Sequence, residues 1–434
     1  MKRAAAALAL LLAMLTLGQA LAVGEITVIS QTHDNHFPKD ITFHLKAQGT
    51  QDIRKITFFY RMGASQSNSY VYPTFTPGLM VDAEYVLPTG GARYVAPGSE
   101  IEYHYEIEDA GGNKLIAEPV KLTYVDTRFD WKAIQGDQVT VYWYAQEQVA
   151  RQVFQVAQAT LGKMRMEAGE SLQRPVKVLV YRNKPDMDGA LPFQSAASSA
   201  GLITEGEAFS AVDLVMILGS DPDVGPTTAH ELTHLITDQL TSNAFSGIPA
   251  WLNEGLSMWA EGELRAANRS ALNASIRDNS LLNLHTISSP AGKPQEVNLF
   301  YGEAYSVVRY LVDTYGSGKM GELLATFKQG TTADTALRKV YGVDVDGLEA
   351  DWRSSIGASP APAPAAKGAL AQGLSIPTIV PFGPKQPQTA ADDKLPLDQG
   401  RLILYILLVA SVAVLSIGFL AGVVFVRRKQ HGKT

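Results

Sequence analysis

The chain contains no cysteine. Disulfides, thiol nucleophiles and thiolate-held zinc are therefore excluded, and stability must come from packed cores. Charge of one sign is also scarce. The 37 Lys and Arg against 43 Asp and Glu leave a formal charge of −6 over 434 residues, and no basic block stands in the central part. That distribution argues against a nucleic-acid partner. What the chain does have is apolar residues, 46% of the total, enough for two or three domains with real cores.

Both ends read as targeting segments. Lys2 and Arg3 precede an apolar core at 4–15, and Ala20-Leu21-Ala22 fits small-x-small cleavage, which predicts a signal peptide over 1–22. Ser359-Pro360-Ala361-Pro362-Ala363-Pro364 opens an Ala/Pro/Gly-rich stretch, 358–400, that cannot bury much surface and is expected to be a semi-extended tether. Residues 401–426 hold a long apolar run, uncharged from Leu402 onward. As a helix it would reach roughly 37 Å, enough to cross a membrane. Arg427-Arg428-Lys429 then open a short cytoplasmic tail, 427–434. The expectation is a single-pass cell-membrane protein with its folded domains outside.

Residues 23–126 alternate like strands. Ile41, Phe43, Leu45 and Ala47 oppose Thr42, His44 and Lys46; Ile101, Tyr103, Tyr105 and Ile107 oppose Glu102, His104, Glu106 and Glu108. Asp109-Ala110-Gly111-Gly112-Asn113 is a hairpin turn signal. About seven such strands predict an immunoglobulin-like or fibronectin-like β-sandwich, with His44 and His104 on its surface. The domain would serve as a spacer or as a binding module. Arg128-Phe129-Asp130-Trp131 marks the junction to a second domain, 127–357.

That domain starts with strands at 139–144 and 176–181 around a helix whose face runs through Val149, Val153, Val156, Thr160 and Met164. Asp186 to Ser199, rich in Gly, Ser and Ala, is expected to be a loop. A third strand, 212–218, leads to Gly225-Pro226, which opens a helix reaching about Leu240. On it Ala229, Leu232, Ile236 and Leu240 form a core face, while His230, His234, Thr237 and Thr241 form a polar stripe. His230 and His234 stand one turn apart and can aim ring nitrogens at one ion; Glu231 can reach a water on that ion. Pro249 opens a further helix with Leu252, Leu256 and Trp259 on its apolar face and Glu254 opposite. Two His and one Glu would leave a fourth coordination position for water, the mark of a catalytic zinc site.

His230-Glu231-x-x-His234, eighteen residues and then Asn253-Glu254 resemble the gluzincin metallopeptidases, which share the thermolysin spacing. Pro249-x-Trp251-Leu252-x-Glu254-Gly255 is similar to the peptidase MA-like family. So is the block from Tyr301-Gly302-Glu303-Ala304-Tyr305 to Val312, like the helix that follows the site there. The resemblance covers roughly 128–357. It implies an α+β metallopeptidase domain with one Zn2+ on His230, His234 and Glu254, Glu231 as general base, a tyrosine stabilising the oxyanion, and a peptide or protein substrate. Tyr301 is the first choice for that tyrosine and Tyr305 the second; Arg309 reads as a surface charge. The strand pairing with substrate would lie in the 203–218 region. Thermolysin-like enzymes carry an aspartate four residues after the glutamate ligand, where this chain has Met258; Asp238, Asn253 and Ser257 are the alternatives for orienting a histidine. His285 is a candidate for the downstream histidine that thermolysin uses. No Gly-x-Met-Glu-Asn segment precedes the metal helix, which argues against aminopeptidase specificity. The expected function is a zinc metallopeptidase at the cell surface. The alternatives are an inactive surface binding protein, against which intact Glu231 argues, and a zinc hydrolase of a cell-wall amide.

Overall fold

The computed structural model describes residues 25–65, 67–168, 172–192, 205–243, 247–289 and 296–361. The expected signal peptide, most of the tether and the expected membrane segment lie outside these residues. Among the described residues no helix is long and apolar enough to cross a membrane.

The first seven strands are β1 (Ile26–His36), β2 (Asp40–Met62), β3 (Ser69–Val71), β4 (Gly78–Pro88), β5 (Glu100–Asp109), β6 (Lys114–Ile116) and β7 (Val120–Thr123). All pair antiparallel, in one sheet rather than two. The expected two-sheet sandwich is corrected by β2. Its first half pairs with β1 and β4 and its second half with β5 and β3, with the register shifting between Gln48 and Ile53. One 23-residue strand thus runs through both halves, and the sheet folds into a half-barrel. The alternation puts Ile41, Phe43, Leu45, Phe58, Tyr103 and Tyr105 in a single core, all at 0% exposure. Phe43, Phe58 and Tyr103 pack with ring centroids 4.8–5.6 Å apart. The β5–β6 turn is closed by the buried Asp109 carboxylate, which accepts from the backbone of Gly111 and Asn113. His44 pairs at the surface with Asp34 and His104 stacks on Phe59.

At the junction the buried Asp126 carboxylate accepts from Arg128 Nε and Nη2, and its backbone oxygen accepts from Trp131 Nε1. Trp131, Phe129, Tyr144 and Tyr181 close over it as an aromatic cluster. Next come β8 (Lys132–Gln135), β9 (Val139–Trp143), α1 (Glu147–Ala168), β10 (Val176–Tyr181), α2 (Lys184–Asp188), β11 (Gly206–Phe209) and β12 (Leu214–Leu218). The region expected to be a loop from Asp186 therefore begins inside a short helix, and from 193 it lies outside the described residues. The sheet order is β11-β12-β10-β9-β8, with β9, β10 and β12 parallel and both edges antiparallel. Its central strands are buried on both faces, so they read as apolar runs. Val141, Val178 and Val215 face α1, whereas Tyr181, Leu214 and Met216 face the aromatic cluster.

The remainder is helical: α3 (Val224–Thr241), α4 (Ala250–Glu261), α5 (Ala266–Asp278), α6 (Val297–Tyr315), α7 (Ser317–Phe327), α8 (Ala333–Tyr341) and α9 (Val345–Ser355). Trp251, Leu252, Leu256, Phe300, Val308, Leu311 and Trp352 share its core. Gly255 lets α4 and α6 approach closely, since a Cβ there would stand 2.4 Å from the Ala304 carbonyl oxygen.

A buried ionic group anchors the segment before α6. Glu303 accepts from Leu282 N at 2.9 Å, and Glu349 from Leu284 N at 3.0 Å. Arg353 donates to Glu349 and to the carbonyls of Leu281 and Leu282. Burial pushes the Glu303 carboxyl up to about 8, outweighing the backbone bond from Leu282 and the Arg353 charge. The folded protein thus holds this proton more tightly than the unfolded chain, whose glutamate titrates near 4.5. Stability from this group is complete below that value and is lost as pH rises through about 8. Glu303→Gln should flatten the loss, so denaturant midpoints at pH 6 and pH 9 should lie closer together in the variant than in the parent. An unchanged gap would refute it.

Candidate metal centre

The site is built on α3. Proline in its first turn suits a helix start, and the threonine hydroxyls turn inward, Thr228 to Val224 O and Thr233 to Ala229 O. Leu232, Leu235 and Ile236 are buried against the sheet and the helical core. Thr237 and Thr241 of the polar stripe are buried too, and Thr241 donates to Thr237 O. The stripe is covered because α4 packs along it. His230 and His234 lie in the resulting cleft, ring centroids 4.8 Å apart.

From α4, Glu254 Oε2 stands 3.5 Å from His230 Nε2 and 3.7 Å from His234 Nε2. Among the described residues these three form the one group of His, Asp or Glu able to hold a metal ion. Donors around a tetrahedral zinc, with bonds of about 2.0–2.2 Å, lie roughly 3.3–3.6 Å apart. The two distances to Glu254 fall close to that range, and all three donors lie within 4.8 Å of one another.

The other ring nitrogens fix the imidazoles. His230 Nδ1 donates to Glu261 Oε1 at 2.6 Å, and His234 Nδ1 lies 3.2 Å from Ser257 Oγ. A carboxylate only accepts, so Nδ1 carries a proton and Nε2 is the ring nitrogen that faces Glu254 and would ligate a metal. Of the three residues considered for orienting a histidine, Ser257 and Asn253 reach His234, whereas Asp238 interacts with Arg174 and Asp213. Met258 is buried among apolar side chains. Glu261 escaped the sequence reading. Its signal was its place seven residues after Glu254, two turns along the same face of α4.

The electrostatics call for a cation. Burial opposes a charge on His230, but bonds to Glu254 and Glu261 and the nearby Glu231 outweigh it and push its pKa up to about 10. Burial also lowers His234, and the two imidazoles hold Glu254 below its usual value against burial. Burial, countered by His230 and reinforced by Glu207, Glu254 and Glu261, pushes Glu231 up to about 7. The cleft takes up positive charge, and a dication on the three converging donors would supply it in place of a proton.

Glu231 is steadied from the sheet side. Gly206, on edge strand β11, lies against it so closely that a Cβ would stand 2.6 Å from Glu231 Cγ. Tyr301 is half-buried and packs against the cluster of Met258, Leu272 and Tyr305; its pKa rises to about 12, chiefly by burial and then by the charges of Glu254, Glu231 and Glu261. Tyr305 is placed elsewhere: its hydroxyl donates to Gly262 O at 3.2 Å, and its ring packs with Met258, Leu264 and Leu272. His285 is an exposed partner of Asp346 at 3.0 Å, outside the metal group.

Glu261→Gln replaces the acceptor of the His230 proton with a neutral amide. Zinc affinity, measured by competition with a chromophoric chelator, should fall about 10- to 100-fold while folding is kept. Affinity within twofold of the parent would show that Glu261 does not orient His230.

The family model described as Peptidase MA superfamily matches residues 156–358. No curated protein matches the chain. Similar solved structures include a Br derivative of BhCBM56, 15% identical over 21% of this chain and 88% of that one, at a TM-score of 0.17. A polysaccharide deacetylase from Bacillus cereus is 8% identical over 38% and 53%, at 0.19. The structural genomics target SoR45 is 15% identical over 23% and 83%, at 0.12. At such scores none of the three carries an argument about this chain. With His230, His234 and Glu254 converging inside the matched region, residues 156–358 are a Peptidase MA superfamily metallopeptidase domain.

Proposed function

We propose that the protein is a zinc-dependent peptidase acting on peptide or protein substrates at the cell surface. The observation that carries this reading is the convergence of two Nε2 atoms and one carboxylate oxygen at 3.5 and 3.7 Å, with both Nδ1 atoms turned to partners behind them. Zinc held by these residues would polarise the scissile carbonyl and acidify the attacking water. Glu231, one residue round from His230, would take a proton from that water and pass it to the leaving amine. Tyr301 keeps its proton and can donate it in a hydrogen bond to the oxyanion. Strand β11 ends the five-stranded sheet, so its outer edge can pair with an extended peptide, and Gly206 brings that edge against Glu231.

The surface location is supported by sequence features: the signal-like segment at 1–22, the apolar run at 401–426 and the basic residues after it. We read the N-terminal half-barrel as a spacer or a binding module.

Glu231→Gln should lower kcat/KM on a peptide library by at least about 10²-fold with one zinc per chain retained. A variant that keeps its activity would overturn the assignment of the base. Tyr301→Phe should cost about 10²-fold in kcat, whereas Tyr305→Phe should cost only a few-fold. The reverse order would exchange the two tyrosines.

A further inference from the structure

Glu261 uses both of its carboxylate oxygens. Oε1 accepts from His230 Nδ1 at 2.6 Å, and Oε2 accepts from Arg265 Nε at 3.0 Å. Its side chain is only 3% exposed, so these two bonds rather than water hold it. Arg265 stands just beyond α4, as the residue before α5. Its Nη1 lies 3.7 Å from Glu205 Oε2, in the residue immediately preceding β11. Asp223, at the start of α3, and Tyr301 also lie within its electrostatic reach.

We propose that Arg265 is a positioning residue of the metal centre, acting through Glu261 on His230 and tying the end of α4 to the edge strand. The inference rests on the zinc reading above. An exposed ion pair contributes little, because water screens it and both side chains lose freedom. This pair differs: Glu261 is buried, so losing its partner leaves a buried carboxylate with one bond. That carboxylate could then turn about its own side-chain torsions and carry the His230 ring with it. Metal sites tolerate only about 10–20° of such error in a ligand. The guanidinium prevents the turn, because it is planar and reaches Glu261 and Glu205 from different nitrogens.

The full chain and its Arg265→Ala, Arg265→Met and Arg265→Lys variants would be compared by zinc competition and by the visible spectrum of the cobalt-substituted protein. Arg265→Ala should bind zinc at least about tenfold more weakly, with a shifted cobalt spectrum. Arg265→Met keeps the aliphatic stem and carries the same expectation should the alanine variant fail to fold. Arg265→Lys, which keeps a charge facing Glu261 but loses the second reach to Glu205, should bind zinc with an affinity between those of the methionine variant and the parent. Alanine or methionine variants that bind zinc within twofold of the parent, with its cobalt spectrum, would overturn the inference. So would a lysine variant no better than methionine. A parent that binds no zinc would instead remove the zinc reading on which the inference stands.

Discussion

The close seating of α4 between α3 and α6 is the constraint on which the site depends. On one side Gly255 meets the Ala304 carbonyl at a distance no side chain would allow. On the other side α4 lies along the stripe that carries His230 and His234. Only at that separation does Glu254 reach both Nε2 atoms, Ser257 reach one Nδ1 and Glu261 the other. One helix thus supplies a metal ligand and the partners of the other two ligands. A small shift of α4 would disturb all of them together.

That arrangement gathers Glu231, Glu254 and Glu261 into a cleft from which most water is removed. Burying charge costs several kcal/mol per ion unless partners offset it. The offsets are visible: the imidazoles on Glu254, Arg265 on Glu261, and the raised pKa of Glu231, which avoids part of the charge. A bound dication would complete the compensation, so metal binding and the stability of this part of the fold are linked. The ionic group of Glu303, Glu349 and Arg353 serves another purpose. It satisfies backbone groups of the segment that leads into α6, and so helps fix the helix that carries Tyr301.

Much of this was legible along the chain, and for a common reason. The alternation of Ile41, Phe43, Leu45 and Ala47, and of Ile101 to Ile107, is local, and each of those side chains is buried as its period demands. The spacing of His230 and His234 is one helical turn, so their shared face follows from helix geometry alone. The proline-started helices and the apolar strands of the five-stranded sheet were readable on similar grounds. The half-barrel was not, because whether β2 breaks or bends after Gln48 depends on what its two halves pair with.

The sequence by itself determined which residues could be ligands and base, since residue type and periodicity are local properties. Only the tertiary structure decided which side chains stand behind those ligands. It chose Glu261 and Ser257 over Asp238, turned Tyr305 to Gly262, left His285 at the surface with Asp346, and brought Arg265 and Gly206 to the cleft from other elements. Those outcomes follow from the distances between packed helices and a sheet edge. The periodicity of one helix carries no information about what its neighbour presents.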